Sequence, residues 1–148
     1  TVIPLRWDNR MAGHTYGVEA WGELQVPAAW RVSAAATYLD GKFRFAAGAS
    51  GLLGPRQAGN DPKYQARLTS TLDLGPAVTL HTALRYVSAM PEPRLPAYIE
   101  LNGRLGWALS ERLELSVAGA NLLHRRHREY VDGAEIPRSI YAELQWRF

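Results

Sequence analysis

The sequence predicts an all-β chain: about seven strands of an antiparallel transmembrane β-barrel, with short turns at one rim and longer loops at the other. Three observations carry this. Apolar and polar residues alternate with period two for ten or more residues at a time. The alternating segments exceed the ~5–6 residues of an ordinary strand and match the ~9–11 that cross a bilayer at a tilt. The connections between them alternate between three residues and much longer.

Taken in order, strands are expected at about 14–26, 30–40, 64–74, 78–89, 97–109, 113–124 and 138–148. In the first, Tyr16, Val18, Ala20, Leu24 and Val26 oppose Glu19, Glu23 and Gln25. In the second, Trp30, Val32, Ala34 and Tyr38 oppose Arg31, Ser33 and Thr37. The third sets Tyr64, Ala66, Leu68, Leu72 and Leu74 against Gln65, Arg67, Thr69, Thr71 and Asp73. The fourth sets Val78, Leu80, Leu84 and Tyr86 against Thr79, His81 and Arg85. Ile99, Leu101, Leu105 and Trp107 oppose Glu100, Asn102 and Arg104, and Leu113, Leu115 and Val117 oppose Glu114 and Ser116. The last runs Ile140, Ala142, Leu144, Trp146 and Phe148 against Ser139, Tyr141, Glu143, Gln145 and Arg147. Pro27-Ala28-Ala29, Gly75-Pro76-Ala77 and Ser110-Glu111-Arg112 read as tight turns; 41–63, 90–96 and 125–137 read as longer connections, the first rich in Gly and Pro and without strand pattern. No segment carries a convincing amphipathic helix.

Composition excludes several classes. Over 148 residues, 47% are hydrophobic and 21% charged, so the chain is not a disordered tail. Net charge is only +3, and the basic residues are spread along the chain, which argues against a nucleic-acid binder. There is no cysteine, hence no disulfide framework, thiolate metal site or catalytic thiol. The mean hydropathy of -0.24 is compatible with a barrel, because alternation hides in an average.

Alternation alone does not say which face meets water, since a soluble sandwich or lipocalin gives the same string. The aromatics break the symmetry. Tyr16, Tyr38, Tyr64 and Tyr86 fall on the apolar face at the long-loop ends of their strands, and Trp30, Trp107 and Phe148 fall on it at the short-turn ends. Two belts with aliphatic residues between them are a membrane-interface pattern, whereas a soluble core sets large aromatics mid-strand. The polar face carries Glu19, Glu23, Asp73, Glu100, Glu114 and Glu143 against Arg31, Arg67, Arg85, Arg104 and Arg147. That balance suits a water-lined or plugged lumen, or a plain solvated face, better than an ion-selective pore.

Four stretches carry a resemblance. His14-Thr15-Tyr16-Gly17-Val18-Glu19, Leu95-Pro96-Ala97-Tyr98-Ile99-Glu100-Leu101-Asn102, Gly119-Ala120-Asn121-Leu122-Leu123 through Tyr130, and Pro137-Arg138-Ser139-Ile140-Tyr141 through Trp146-Arg147-Phe148 follow one another in this order. In order and spacing the chain resembles the C-terminal part of a TonB-dependent outer-membrane receptor of the siderophore or cobalamin uptake type. The last two stretches are the most specific. His124 departs from the pattern, which often has Asp after Asn-Leu-Leu.

The resemblance implies a wall segment of a barrel of about 22 strands, located in a Gram-negative outer membrane, with the plug domain and TonB box absent from these residues. Its partners would be membrane lipid, the missing plug and remaining strands, the outer-membrane assembly machinery, and the TonB system only through the plug. No cofactor or nucleic acid is implied. Thr1 to Arg10 reads as the end of an outer loop. Alternatives remain: a small self-standing outer-membrane barrel with a structural or adhesive role, and a soluble ligand-binding barrel.

Leu144, Trp146 and Phe148 resemble the closing-strand signal read by the assembly machinery; the plainer reading is lipid-facing filler. His124, Arg125, Arg126, His127 and Arg128 form the densest basic cluster, able to attract an anionic chelate or lipopolysaccharide phosphates, or simply a solvated loop. His124 and His127 make a poor metal pair with no carboxylate or third His in place. His81 reads as a hydrogen-bonded lumen residue. Phe43, Phe45, Arg56 and Asn60 lie in a loop long enough to touch a ligand. Glu100 and Glu114, expected on neighbouring strands, could approach each other. No Gly-x-Ser-x-Gly, His-Glu-x-x-His or phosphate loop is present, so no enzyme is expected.

Overall fold

The computed structural model describes residues 8–26, 29–49, 58, 60–92, 94–130 and 133–148. Among them strand accounts for about 70% and there is no helix. Seven long or medium strands form one antiparallel sheet. β1 (Met11–Val26), β2 (Trp30–Phe45), β3 (Tyr64–Asp73) and β4 (Val78–Val87) follow in sequence; β7 (Tyr98–Ser110), β8 (Leu113–Ala120) and β11 (Ser139–Trp146) complete it. The order is β1-β2-β3-β4-β7-β8-β11, so each strand lies beside its predecessor in the sheet. The sheet is open, with β1 and β11 as its edges. β5 (Met90–Pro91) pairs with β6 (Arg94–Leu95), and β9 (Arg126–His127) with β10 (Ile136–Pro137), as two small ribbons within the long connections.

Register follows the side-chain alternation, because a one-residue slip would carry each strand's apolar set to the other face. Val18 faces Tyr38, which faces Tyr64; Ala34 faces Leu68, which faces Leu84, which faces Leu101; Leu105 faces Val117, which faces Ala142. One continuous apolar face therefore runs across all seven strands. A bulge between Ala108 and Ser110 adjusts β7 just before its turn.

The structure corrects several expected boundaries. β1 starts at Met11 and β2 runs on to Phe45, because the two continue to pair from Thr15↔Gly41 out to Met11↔Phe45. Residues 41–45, expected to be loop, are thus strand. Their pattern was unrecognisable because the chemistry changes faces at Tyr16 and Asp40. Below that pair the even-numbered face is apolar. Above it the even face carries His14, Lys42 and Arg44, while Met11, Phe43 and Phe45 occupy the odd face. The Phe43 ring lies over Gly13 and Gly41, where an added Cβ would come within 2.5 and 2.8 Å of it.

β8 ends at Ala120 rather than near residue 124, because Asn121 adopts a left-handed backbone with φ 53°. The connections 90–96 and 125–137 each contain one of the small ribbons. Pro27 and Ala28 of the first turn, most of Thr1 to Arg10, and Arg56 lie outside the described residues.

The sheet is one layer thick. Among the described residues only Val87, Leu95 and Ala118 are buried apolar side chains. Val18, Leu68, Leu84, Leu105, Val117 and Leu144 are all exposed on the apolar face.

Candidate functional site

The two faces differ in how they satisfy their side chains. On the apolar face Tyr16, Tyr38 and Tyr64 form a row, with ring centroids 6.1 and 5.1 Å apart. Tyr86 continues it as the partner of Ala66 and Ile99. Tyr16 and Tyr38 are not at the ends of their strands, which extend beyond them. Tyr16 donates to Asp40 Oδ2 at 2.9 Å, and Lys63 Nζ meets Asp40 Oδ1 at 2.7 Å. Near the short-turn rim Trp30 donates through Nε1 to Ser70 Oγ at 2.9 Å, and Trp107 lies between Val78 and Leu115. Leu144 and Trp146 of edge strand β11 face Leu115 and Leu113, and Phe148 is fully exposed just beyond.

The polar face is a lattice of short-range pairs. Arg31 Nε lies 3.3 Å from Glu23 Oε1, Arg104 Nη2 2.6 Å from Glu114 Oε1, and Arg85 Nε 3.6 Å from Glu100 Oε2. Thr71 Oγ1 and His81 Nδ1 are 3.0 Å apart, so His81 is hydrogen-bonded on this face. Thr79 donates to Asp73 at 2.8 Å. Glu100 and Glu114 do not meet. The register sets Glu114 opposite Ala108, about 27 Å along the strand from Glu100 at ~3.4 Å per residue. Trp21 is 81% exposed on this polar face, opposite Ala35, a large aromatic that the alternation did not single out.

Of the basic run, His124, Arg125, Arg126 and Arg128 are exposed, and His127 alone is buried. β9 folds down so that His127, 9% exposed, stacks on Tyr98 at 4.6 Å. Its Nε2 donates to Glu129 Oε1 at 2.8 Å. Arg85 reaches the same carboxylate at 2.9 Å, donates to the Tyr98 hydroxyl, and lies 5.2 Å from that ring's centroid. Burial pushes the Glu129 carboxyl up, but hydrogen bonds from His127 and Arg85 outweigh burial and hold it below its ordinary value of 4.5. Arg126 and Arg128 lie 3.8 and 3.4 Å from Glu135. Much of the cluster's charge is therefore internally balanced. His124, Arg126 and Arg128, with Glu135, line a groove of about 440 Å³ against the segment 94–98.

A carboxylate does stand beside His127, contrary to the sequence expectation. Glu100, His127 and Glu129 offer ligand atoms within 4.8 Å of one another. The Arg85 guanidinium occupies that cluster as its counter-ion, so the arrangement is an ion-pair network rather than an open cation cage. His124 takes no part in it.

Asn121 locks the base of this loop. It is fully buried. Its backbone N–H donates to Asn102 Oδ1 at 2.9 Å, and its side-chain Nδ2 donates to the Ile136 carbonyl at 2.9 Å. The left-handed turn then drives Leu122 against Gly119, where an added Cβ would sit 2.6 Å from Leu122 Cδ2. Asn-Leu after Gly-Ala is thus a steric and hydrogen-bonding latch between β7, β8 and β10. Asn60 accepts from the Glu92 N–H at 3.2 Å, tying two long connections together.

The chain matches no family model and no curated protein sequence.

Proposed function

We propose that this chain is a wall segment of a TonB-dependent active transporter in the outer membrane, carrying ferric siderophores or a similarly bulky chelate. The observation that carries the membrane part is the bare apolar face. It extends across seven strands with no layer over it among the described residues, and aromatic residues flank it at both rims. Trp30 and Tyr38 lie about 27 Å apart along β2, or about 20 Å in height at ~40° tilt, comparable with the ~25 Å apolar band of outer-membrane barrels. A soluble ligand-binding barrel would have to turn this face inward.

The transporter part rests on the resemblance of the four motif stretches. The open edges favour a segment of a larger barrel over a small self-standing one. With seven antiparallel neighbours β1 and β11 run in the same direction, so direct closure would need a parallel pair. Further strands would complete β1 and β11, and a plug would cover Trp21 and the arginine–glutamate lattice.

The test is the native coding sequence upstream of Thr1, together with uptake of a labelled ferric siderophore by cells with and without the gene. About 450–550 further codons are expected, encoding a signal peptide, a plug and about fifteen more alternating strands. Loss of uptake on deletion is the expected phenotype. A signal peptide immediately before Thr1 would overturn the transporter and leave a small barrel.

A further inference from the structure

The β1–β2 hairpin rises past the tyrosine row, and its apolar-side face changes character there. His14 pairs across the strands with Lys42, and Ala12 with Arg44, all on the face that carries Tyr16 and Tyr38 below. His14, Lys42 and Arg44 are exposed, and none has a side-chain partner among the described residues. Asp40, the nearby acid on this face, is already engaged by Tyr16 and Lys63.

We infer that this ledge binds the anionic phosphates of lipid headgroups in the leaflet at the long-loop rim. The inference rests on the membrane reading proposed above. Position supports it. His14 and Lys42 lie two residues beyond the Tyr16–Asp40 pair, and Arg44 lies four beyond. At ~3.4 Å per residue and ~45° tilt, these are heights of about 5 and 10 Å above the row. The headgroup region occupies about 5–8 Å on each side of the hydrocarbon core. At that depth the Lys42 ammonium meets phosphate rather than acyl chain or bulk water, and Arg44, just above the layer, reaches back into it with its long side chain. The opposite face of the same hairpin carries Met11, Phe43 and Phe45, so the cations are confined to the lipid side. The 124–128 run is the weaker candidate for the same chemistry, since Glu129 and Glu135 already hold much of its charge.

The test is flotation of the full-length product of the native gene with vesicles of phosphatidylcholine, and of phosphatidylcholine mixed with phosphatidylglycerol. The chain should partition into both, and roughly tenfold or more strongly into the anionic ones. Lys42→Ala/Arg44→Ala should lose most of that preference while keeping its partition into phosphatidylcholine. Arg125→Ala should keep the preference. Failure of the unaltered chain to join phosphatidylcholine vesicles would overturn the membrane reading, and this inference with it. Partition without an anionic preference, or a preference that survives the double substitution or falls with Arg125→Ala, would overturn the ledge alone. Loss of the preference on adding inorganic phosphate, at matched ionic strength, would replace the lipid with a free anion.

Discussion

The Asn121 side chain and the Ile136 carbonyl join across the long-loop rim, Nδ2 donating to the carbonyl oxygen at 2.9 Å. The residue that ends β8 thus also anchors the strand pair β9–β10, and through it the His127–Glu129 hydrogen bond and the Arg85–Glu129 ion pair. Asn121→Ala removes this bond and leaves a β-carbon residue in a left-handed conformation. It should weaken loop docking by about 2–3 kcal/mol, read as faster amide exchange over residues 125–138. Asn121→Gly, which relieves the backbone but not the bond, should fall between the two. Unchanged exchange in both variants would mean that the latch does not hold the loop.

The Gly119–Leu122 contact makes a second, separable prediction. Gly119→Ala should cost about 1–3 kcal/mol by forcing Leu122 out of its notch. Gly119→Ala/Leu122→Ala should recover part of that cost. A denaturation series on the two single variants and the double checks this, and strict additivity would refute the steric account.

Loop docking should also depend on acid. The folded-state pKa of Glu129 lies below its ordinary value of 4.5, so folding favours the charged carboxylate. Its contribution is complete above that ordinary value and disappears as pH falls through the depressed one. Exchange at residues 125–138, corrected for intrinsic rates, should therefore rise as pH drops below about 4.5. Glu129→Gln should flatten that dependence. A loop that loosens on going upward from neutral pH would contradict the assignment.

Substitutions on the two faces of a single strand pair should differ sharply. Leu84→Arg, on the bare apolar face, should reduce insertion into vesicles by about 2–4 kcal/mol. Thr69→Arg, on the polar face one strand away, should have little effect. Equal effects at both positions would remove the basis for the membrane reading.

Phe148→Ala should lower the amount of assembled protein in the outer membrane of cells while leaving refolding into detergent nearly unchanged. Phe148 is exposed beyond the last strand and supports nothing within the sheet. A loss of refolding in detergent instead would make it structural.

Strand centres were legible because one rule, alternation, governs most residues from Tyr38 back to Trp30 and from Val78 to Tyr86, with Ala35, Thr82 and Ala83 as small exceptions. The upper hairpin was hidden because the rule continues there while its chemistry reverses; a search for apolar even positions stops at Tyr16. The end of β8 was hidden for a different reason. Leu122 and Leu123 look like more strand, and only the backbone of Asn121 turns the chain away. The setting of His127 was the least local feature. Its stacking partner Tyr98 and the arginine it shares with Glu129 lie 29 and 42 residues earlier, and meet it only when β9 folds against β4 and β7. Neither spacing nor composition signals such a meeting.

The one-layer construction gives this chain a reading frame of two. Few side chains answer to a packed interior, so tolerance to substitution should follow whether a position is odd or even more than how large its side chain is. Deleting one residue inside β3 or β4 would exchange every later position of that strand between the two environments. Deleting two would only shorten the strand, so the larger lesion should do less harm than the smaller.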